Sequence, residues 1–112
     1  MFKSFIYAGR GLFKIFREEQ NFKIEIVASL LILALAVLLS VSWLEAAILV
    51  LACALVLVME IVNSAVEAIS DSLKPRLDNY VKRIKDIVAA GVLVAALAAI
   101  IVGVLIFSQY FF

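Results

Sequence analysis

The apolar positions of this chain fall into two regimes. From Phe2 to Arg17 they recur at steps of three and four, as Phe2, Phe5, Ile6, Gly9, Leu12, Phe13 and Phe16, while Lys3, Arg10, Lys14 and Arg17 recur on another face. The spacing predicts an amphipathic helix over 2–20, with aromatic residues on one side and cations on the other. Further on, the periodicity gives way to long unbroken apolar runs. Ile24 to Leu39 is apolar except for Glu25 and Ser29, and Ser40, Val41, Ser42 and Trp43 supply turn chemistry and an interfacial tryptophan. A second run from Leu44 to Met59 has Glu45 at its mouth and continues in helical register through Glu60, Asn63, Ser64, Glu67 and Asp71 until Pro75 stops it. Ile87 to Phe107 carries no charge, and Tyr110, Phe111 and Phe112 close the chain as an aromatic belt. The expected elements are a surface helix over 2–20, a first span over 24–42, a second span with its polar extension over 44–70, a connecting loop over 71–85, and a third span over 87–107. Gly91, Gly103 and the alanines between them suggest close helix packing in the third span.

Composition explains why the apolar runs are read as spans rather than as a buried core. Of 112 residues, 67% are hydrophobic and 17% charged, against roughly half and a quarter in soluble domains. So short a soluble domain cannot hide that much apolar surface, whereas a bilayer accepts it directly. The expectation is one all-α membrane domain of three transmembrane helices preceded by an interfacial amphipathic helix.

The formal net charge of +1 matters less than where the charges lie. Lys3, Arg10, Lys14, Arg17 and Lys23 precede the first span, and Lys74, Arg76, Lys82, Arg83 and Lys85 separate the second from the third. Basic residues in short loops stay inside. The N-terminus and the 72–86 segment are therefore expected in the cytoplasm, with the 40–45 turn and the C-terminus outside, an alternation that three spans satisfy. The surface helix would lie among cytoplasmic headgroups, drawn by anionic lipid as well as by burial, either as an anchor or as a gate for substrate. The first twenty-odd residues do not read as a signal peptide. Cys53 is the only cysteine and histidine is absent, which excludes an internal disulfide and a Cys/His zinc site and leaves a buried thiol in a span. No nucleic-acid partner is expected.

Within the spans, the polar residues are the candidates for chemistry. An ionisable side chain at mid-membrane costs at least ~2.5 kcal/mol and usually faces the protein interior or a polar cavity. Glu60, Asn63 and Glu67 are spaced by three and four and share a helical face, which Asp71 extends by another turn. At ~1.5 Å per residue Glu60 sits roughly 25 Å along a helix starting near Trp43, close to the far side of a ~30 Å hydrocarbon slab. Two stacked carboxylates and an amide there can handle protons and a divalent cation. The plainer alternatives are a polar seam between helices, or a span that ends at Met59 with a solvated helix beyond it. Glu18 or Glu19, at the junction of surface helix and first span, could complete a metal site with Glu67, and Mg²⁺ suits such oxygen ligands. Lys85, beside Asp86, is either a phosphate-pairing cation or an interfacial anchor.

The string Glu60-Ile61-Val62-Asn63-Ser64-Ala65-Val66-Glu67-Ala68, followed by Asp71 and by Lys85-Asp86 at the third span, resembles the signature of the prokaryotic diacylglycerol kinase and undecaprenol kinase family. Glu19-Gln20-Asn21-Phe22-Lys23-Ile24-Glu25 resembles the acidic stretch that precedes the first span in that family. The likeness covers nearly the whole chain in order and spacing. It implies an ATP- and Mg²⁺-dependent lipid kinase of the bacterial cytoplasmic membrane, a homotrimer with sites shared between subunits. Glu60 matches the catalytic acid that takes the proton of the lipid hydroxyl, and Glu19 and Glu67 match the metal ligands. The resemblance assigns Asn63, Glu19, Glu67, Lys85, Asp86 and Tyr7 to the nucleotide, with Arg76, Leu77 and Asp78 in the loop over the adenosine, and Ala89 with Glu60 to the lipid. The Asn21 and Lys23 pattern resembles the undecaprenol kinases more than the diacylglycerol kinases, and Pro75 sets the loop apart from the latter.

No G-x-x-x-x-G-K-[ST] loop occurs, and Gly9-Arg10-Gly11 is too short to serve as one. Two other classes compete. A small multidrug-type transporter has this length and a membrane glutamate, but four spans with its acid in the first. A structural bundle or pore would not explain acids aligned on one face.

Overall fold

The computed structural model describes residues 1–73 and 78–112. They form helices α1 (Phe2–Glu18), α2 (Gln20–Leu38), α3 (Trp43–Leu73) and α4 (Asp78–Phe111). Gln20–Leu38, Trp43–Ser72 and Asn79–Phe111 are long and apolar enough to cross a membrane. α3 and α4 make the main helix pair, α2 lies along α3, and α1 touches α2.

α1 buries none of its residues, and Phe2, Phe5 and Phe13 stay largely exposed. Its aromatic stripe has no cover among the described residues, as the amphipathic pattern requires of a helix that lies in an interface. The break between α1 and α2 is a single residue. Glu19 adopts an extended backbone (φ −102°, ψ 109°), its N–H closing α1 on the Ile15 carbonyl at 2.8 Å and its carbonyl opening α2 by accepting from Lys23 at 3.3 Å. The helical course therefore resumes at Gln20, ahead of the 24 expected from the apolar run.

α2 ends at Leu38 rather than at 42 because of a backbone cap. Val41 N–H bonds the Ala36 carbonyl at 3.2 Å and Ser40 N–H bonds that of Val37 at 3.1 Å, with Ser40 in the left-handed region at φ 52°. This is the Schellman pattern, with serine where glycine is usual, and Val41 packs on the cluster around Ala36 as the motif's apolar contact. α3 starts at once on a capping box. Ser42 Oγ accepts from Glu45 N–H and Glu45 Oε1 accepts from Ser42 N–H, both at 3.1 Å. Tyr110, near the end of α4, donates its hydroxyl to the same Glu45 Oε1 and ties the two long helices together.

The 71–85 segment departs from expectation. Helix continues to Leu73 and begins again at Asp78, so most of the predicted loop is helical. Val81 and Ile84 extend the apolar stripe of α4 at a spacing of three, and Val81 is buried. Polar composition had concealed that periodicity.

Ala36, Leu49 and Ile106 form the core at the Ser42 end, one from each spanning helix. Midway, Gly91 on α4 meets α3 so closely that a Cβ there would lie 2.7 Å from Met59 Cε. Gly103, expected to serve the same purpose, has nothing within 4 Å of its Cβ position among the described residues, where Gly91 is the close-packing glycine of α4. Cys53 is a buried free thiol, as anticipated. In each span's most apolar stretch only 11% of residues are buried, leaving the remaining apolar surface to lipid or to other chains.

Candidate active site

Glu60 is 5% exposed, the one charged side chain among the described residues that the fold buries. α3 carries it to the point where α2 begins, and the next turns of the same face bring Asn63 and Glu67 alongside, both half-buried. Asn63 donates from Nδ2 to Glu67 Oε1 at 3.3 Å, which fixes the carboxylate's direction two turns from Glu60. Glu60 lies within electrostatic reach of Glu67 and Glu19. The break at Glu19 aims this half-buried carboxylate at the cluster, whereas Glu18 is exposed. Of the two acids at the junction, Glu19 is thus the one that joins the site. Asp71, though in register with the others, is exposed beyond them.

The structure adds one residue that sequence reasoning passed over. Glu25, on the second turn of α2, interacts electrostatically with Glu60 across the helix interface. Its Oε2 is buried and, with Ser64 Oγ, lacks a hydrogen-bond partner among the described residues. An acid interrupting an apolar run one turn inside the membrane was a usable signal, but no periodicity links α2 to α3.

The remaining candidates lie on other elements. Met59 against Gly91 sets the register of the antiparallel pair. In that register Lys85, six residues before Gly91, falls level with Ala65, six residues after Met59, between Asn63 and Glu67. Asp86 is level with Ser64, and Ala89 with Ile61 beside Glu60. Lys85 is half-buried, while Asp86 and Ala89 are exposed. Tyr7 is 63% exposed on α1, with the Arg10 guanidinium 6.0 Å from its ring. Arg76 and Leu77 lie outside the described residues, and of Asp78 only the backbone, at the start of α4, is described.

A cleft of about 290 Å³ separates the second half of α1 from α3 next to this cluster, with Lys14 and Glu19 on one wall and Ser64 and Ala68 on the other. Among the described residues no three acidic or other ligating side chains converge on one point, so a cation here would need oxygens from a bound substrate as well.

A three-span bundle with a buried glutamate, flanked by carboxylates at the end where its surface helix attaches, is the build of a membrane-embedded enzyme. The sequence model of prokaryotic diacylglycerol kinases matches residues 6–107, and the chain belongs to that family of lipid kinases. It is 34% identical over 106 residues to the undecaprenol kinase of Bacillus subtilis, covering 95% of this chain and 86% of that protein. Identity is 32% over 105 residues with the diacylglycerol kinase of Escherichia coli K12, covering 94% and 86%. With the diacylglycerol kinase of Synechocystis it is 35% over 101 residues, covering 89% of this chain and 58% of that longer protein. The family match displaces the transporter and pore readings and makes the chain a lipid kinase of a bacterial membrane.

Proposed function

We propose that the chain phosphorylates the hydroxyl of undecaprenol with ATP, using Glu60 as the base. The observation that carries this is the burial of Glu60 at 5% exposure, beside the carboxylates of Glu19 and Glu67. The alcohol oxygen attacks the γ-phosphorus, the bond from that phosphorus to the β-γ bridging oxygen breaks, ADP leaves, and the hydroxyl proton passes to Glu60. Phosphoryl transfer asks for alignment and charge neutralisation more than covalent help. Glu60, at the boundary of the slab, is where a lipid headgroup and a nucleotide can meet.

Mg²⁺ is bound through one or two carboxylates plus phosphate and water oxygens, and Glu19 with Glu67 fits that donor set. When bound, it would neutralise the negative charge of the phosphates. Asn63 holds Glu67 in place for this role. Lys85 pairs with phosphate from α4, and Asp86 and Tyr7 complete the nucleotide contacts, with Arg76, Leu77 and Asp78 covering the adenosine. Ala89 borders the lipid beside Glu60. Tyr7 stands exposed on α1 and Asp86 on α4, which supports a homotrimer whose sites draw residues from neighbouring copies. In this reading the N-terminus, the nucleotide site and the 74–77 connection face the cytoplasm, and Tyr110 the outside.

The second reading is a diacylglycerol kinase that makes phosphatidic acid, favoured by the names of the Escherichia coli and Synechocystis relatives. Identities of 32–35% do not separate the two lipids. Labelled ATP offered with each lipid in detergent micelles does so: preferential turnover of undecaprenol supports the proposal, and equal or greater turnover of diacylglycerol overturns it. In the same assay Glu19→Gln and Glu67→Gln raise the Mg²⁺ requirement, whereas Glu60→Gln lowers kcat.

A further inference from the structure

Lys14 is the cation that the mechanism above leaves idle, and it stands beside the site. It lines the cleft of about 290 Å³ between α1 and α3 on the wall that carries Glu19, while Ile61 and Ser64 line the opposite wall. Glu19, Glu60 and Glu67 concentrate negative charge where a polyphosphate has to come. Carboxylates repel phosphate, so cations have to answer it. Lys85 is level with the cluster on α4, and Lys14 is the lysine that approaches from α1. The opposite wall carries an unexplained hydroxyl. A helical serine can turn its hydroxyl to the carbonyl four residues back, here that of Glu60, yet Ser64 Oγ is buried with no partner among the described residues. Such a group calls for a partner, and rotation about its one side-chain bond swings it between the helix interface and the cleft.

We infer that Lys14 and Ser64 hold the terminal phosphate of ATP from the two walls of this cleft, the lysine as a charge and the serine as a hydrogen-bond donor. The inference rests on the kinase reading above. Position along α3 selects the terminal phosphate over the inner two: Ile61 adjoins the base and Ser64 lies one turn beyond it. An ammonium on a flexible four-carbon stem binds phosphate as a point charge and needs no fixed angle of approach. Lys14 donates an N–H to one non-bridging oxygen and Ser64 its O–H to another. Neither gives up a proton. Both stay on the non-bridging oxygens while the bond from phosphorus to the β-γ bridging oxygen breaks and the bond to the alcohol oxygen forms. A lysine that merely held α1 among headgroups would be interchangeable with Arg17, which belongs to the same basic face but does not line this cleft.

Lys14→Met, Lys14→Arg, Ser64→Ala, Arg17→Met and wild type, each purified as the full chain in detergent micelles, are compared for KM of ATP, KM of the lipid alcohol and the inhibition constant of ADP. Methionine keeps the apolar stem and alanine suits a helix, so folding is not at risk. ADP lacks the terminal phosphate, and its inhibition constant therefore reads the rest of the nucleotide site. The expected result is an ATP KM raised about tenfold or more in Lys14→Met and about three- to tenfold in Ser64→Ala. In both variants the ADP constant and the lipid KM stay within about twofold of wild type, Lys14→Arg stays within about threefold on ATP, and Arg17→Met stays within about twofold throughout. An unchanged ATP KM in Lys14→Met or in Ser64→Ala overturns the assignment. So does an ADP constant raised as far as the ATP KM, which would move the contact to the inner phosphates. Equal impairment of Arg17→Met and Lys14→Met assigns Lys14 to the membrane surface and overturns it too. Failure of the underlying reading looks different, since wild type itself would then show no ATP consumption dependent on any lipid alcohol.

Discussion

Asn63 donates a hydrogen bond to Glu67 one turn further along α3, so the carboxylate assigned to the metal is held by a neighbour rather than left to rotate. The same face carries the buried Glu60 one turn before Asn63. The second acid is therefore aimed by the amide that separates it from the first.

This relationship predicts that Asn63→Leu acts through Glu67. Loss of a residue that orients a metal ligand typically costs 10–100-fold in metal affinity. The Mg²⁺ concentration for half-maximal turnover should rise by about that factor, with kcat largely recovered at saturating Mg²⁺. A fall in kcat that no Mg²⁺ concentration restores would place Asn63 at the reacting atoms instead.

The turn between α2 and α3 offers a stabilising substitution. Ser40 holds a left-handed φ of 52° at the Schellman position, where a side chain has a steric cost. Ser40→Gly relieves it and is expected to stabilise the fold by about 0.5–1 kcal/mol, read as a higher thermal midpoint in detergent with activity unchanged.

Glu45 answers both to Ser42 in the capping box and to Tyr110 on α4. Tyr110→Phe and Glu45→Ala should each lower the thermal midpoint, and the double variant should lose less than the two losses added, because they share one interaction. Turnover per folded protein should stay near wild type, since this lock lies at the end remote from Glu60.

Gly91 is the position on α4 where size matters. Gly91→Ala meets only the flexible end of Met59 and is expected to cost little, whereas Gly91→Leu drives the helices apart and should destabilise by about 1–3 kcal/mol. Because Met59 adjoins Glu60, the leucine variant should also lose turnover in the fraction that remains folded.

Much of the fold was legible because a bilayer is a demanding solvent: twenty apolar residues in a row have few other uses, and three spans and the surface helix follow from that. The limits of the elements were harder to read. Ser42-x-x-Glu45 is a capping signature open to inspection, whereas hydropathy alone presents Glu45 only as a charge at the mouth of the span. The helical start of α4 was hidden because Asp78 to Asp86 reads as a polar loop until Val81 and Ile84 are seen as one stripe. In the site, spacing along one helix exposed Glu60, Asn63 and Glu67. Glu25 was missed, since what unites it with them is the packing of α2 on α3, which a one-dimensional pattern does not carry. Choosing Glu19 over Glu18 likewise required the extended backbone at the α1–α2 junction.

The claim on which the rest depends is that the buried Glu60 takes the proton of a lipid hydroxyl. Glu60→Gln keeps the shape and hydrogen-bonding capacity of the side chain but removes the base, and a positioned general base contributes about 10²–10⁴-fold. Lipid-dependent ATP consumption by Glu60→Gln, measured on protein with wild-type oligomeric size and thermal midpoint, is predicted to fall by at least about a hundredfold in kcat. Wild-type turnover in that variant would contradict the account.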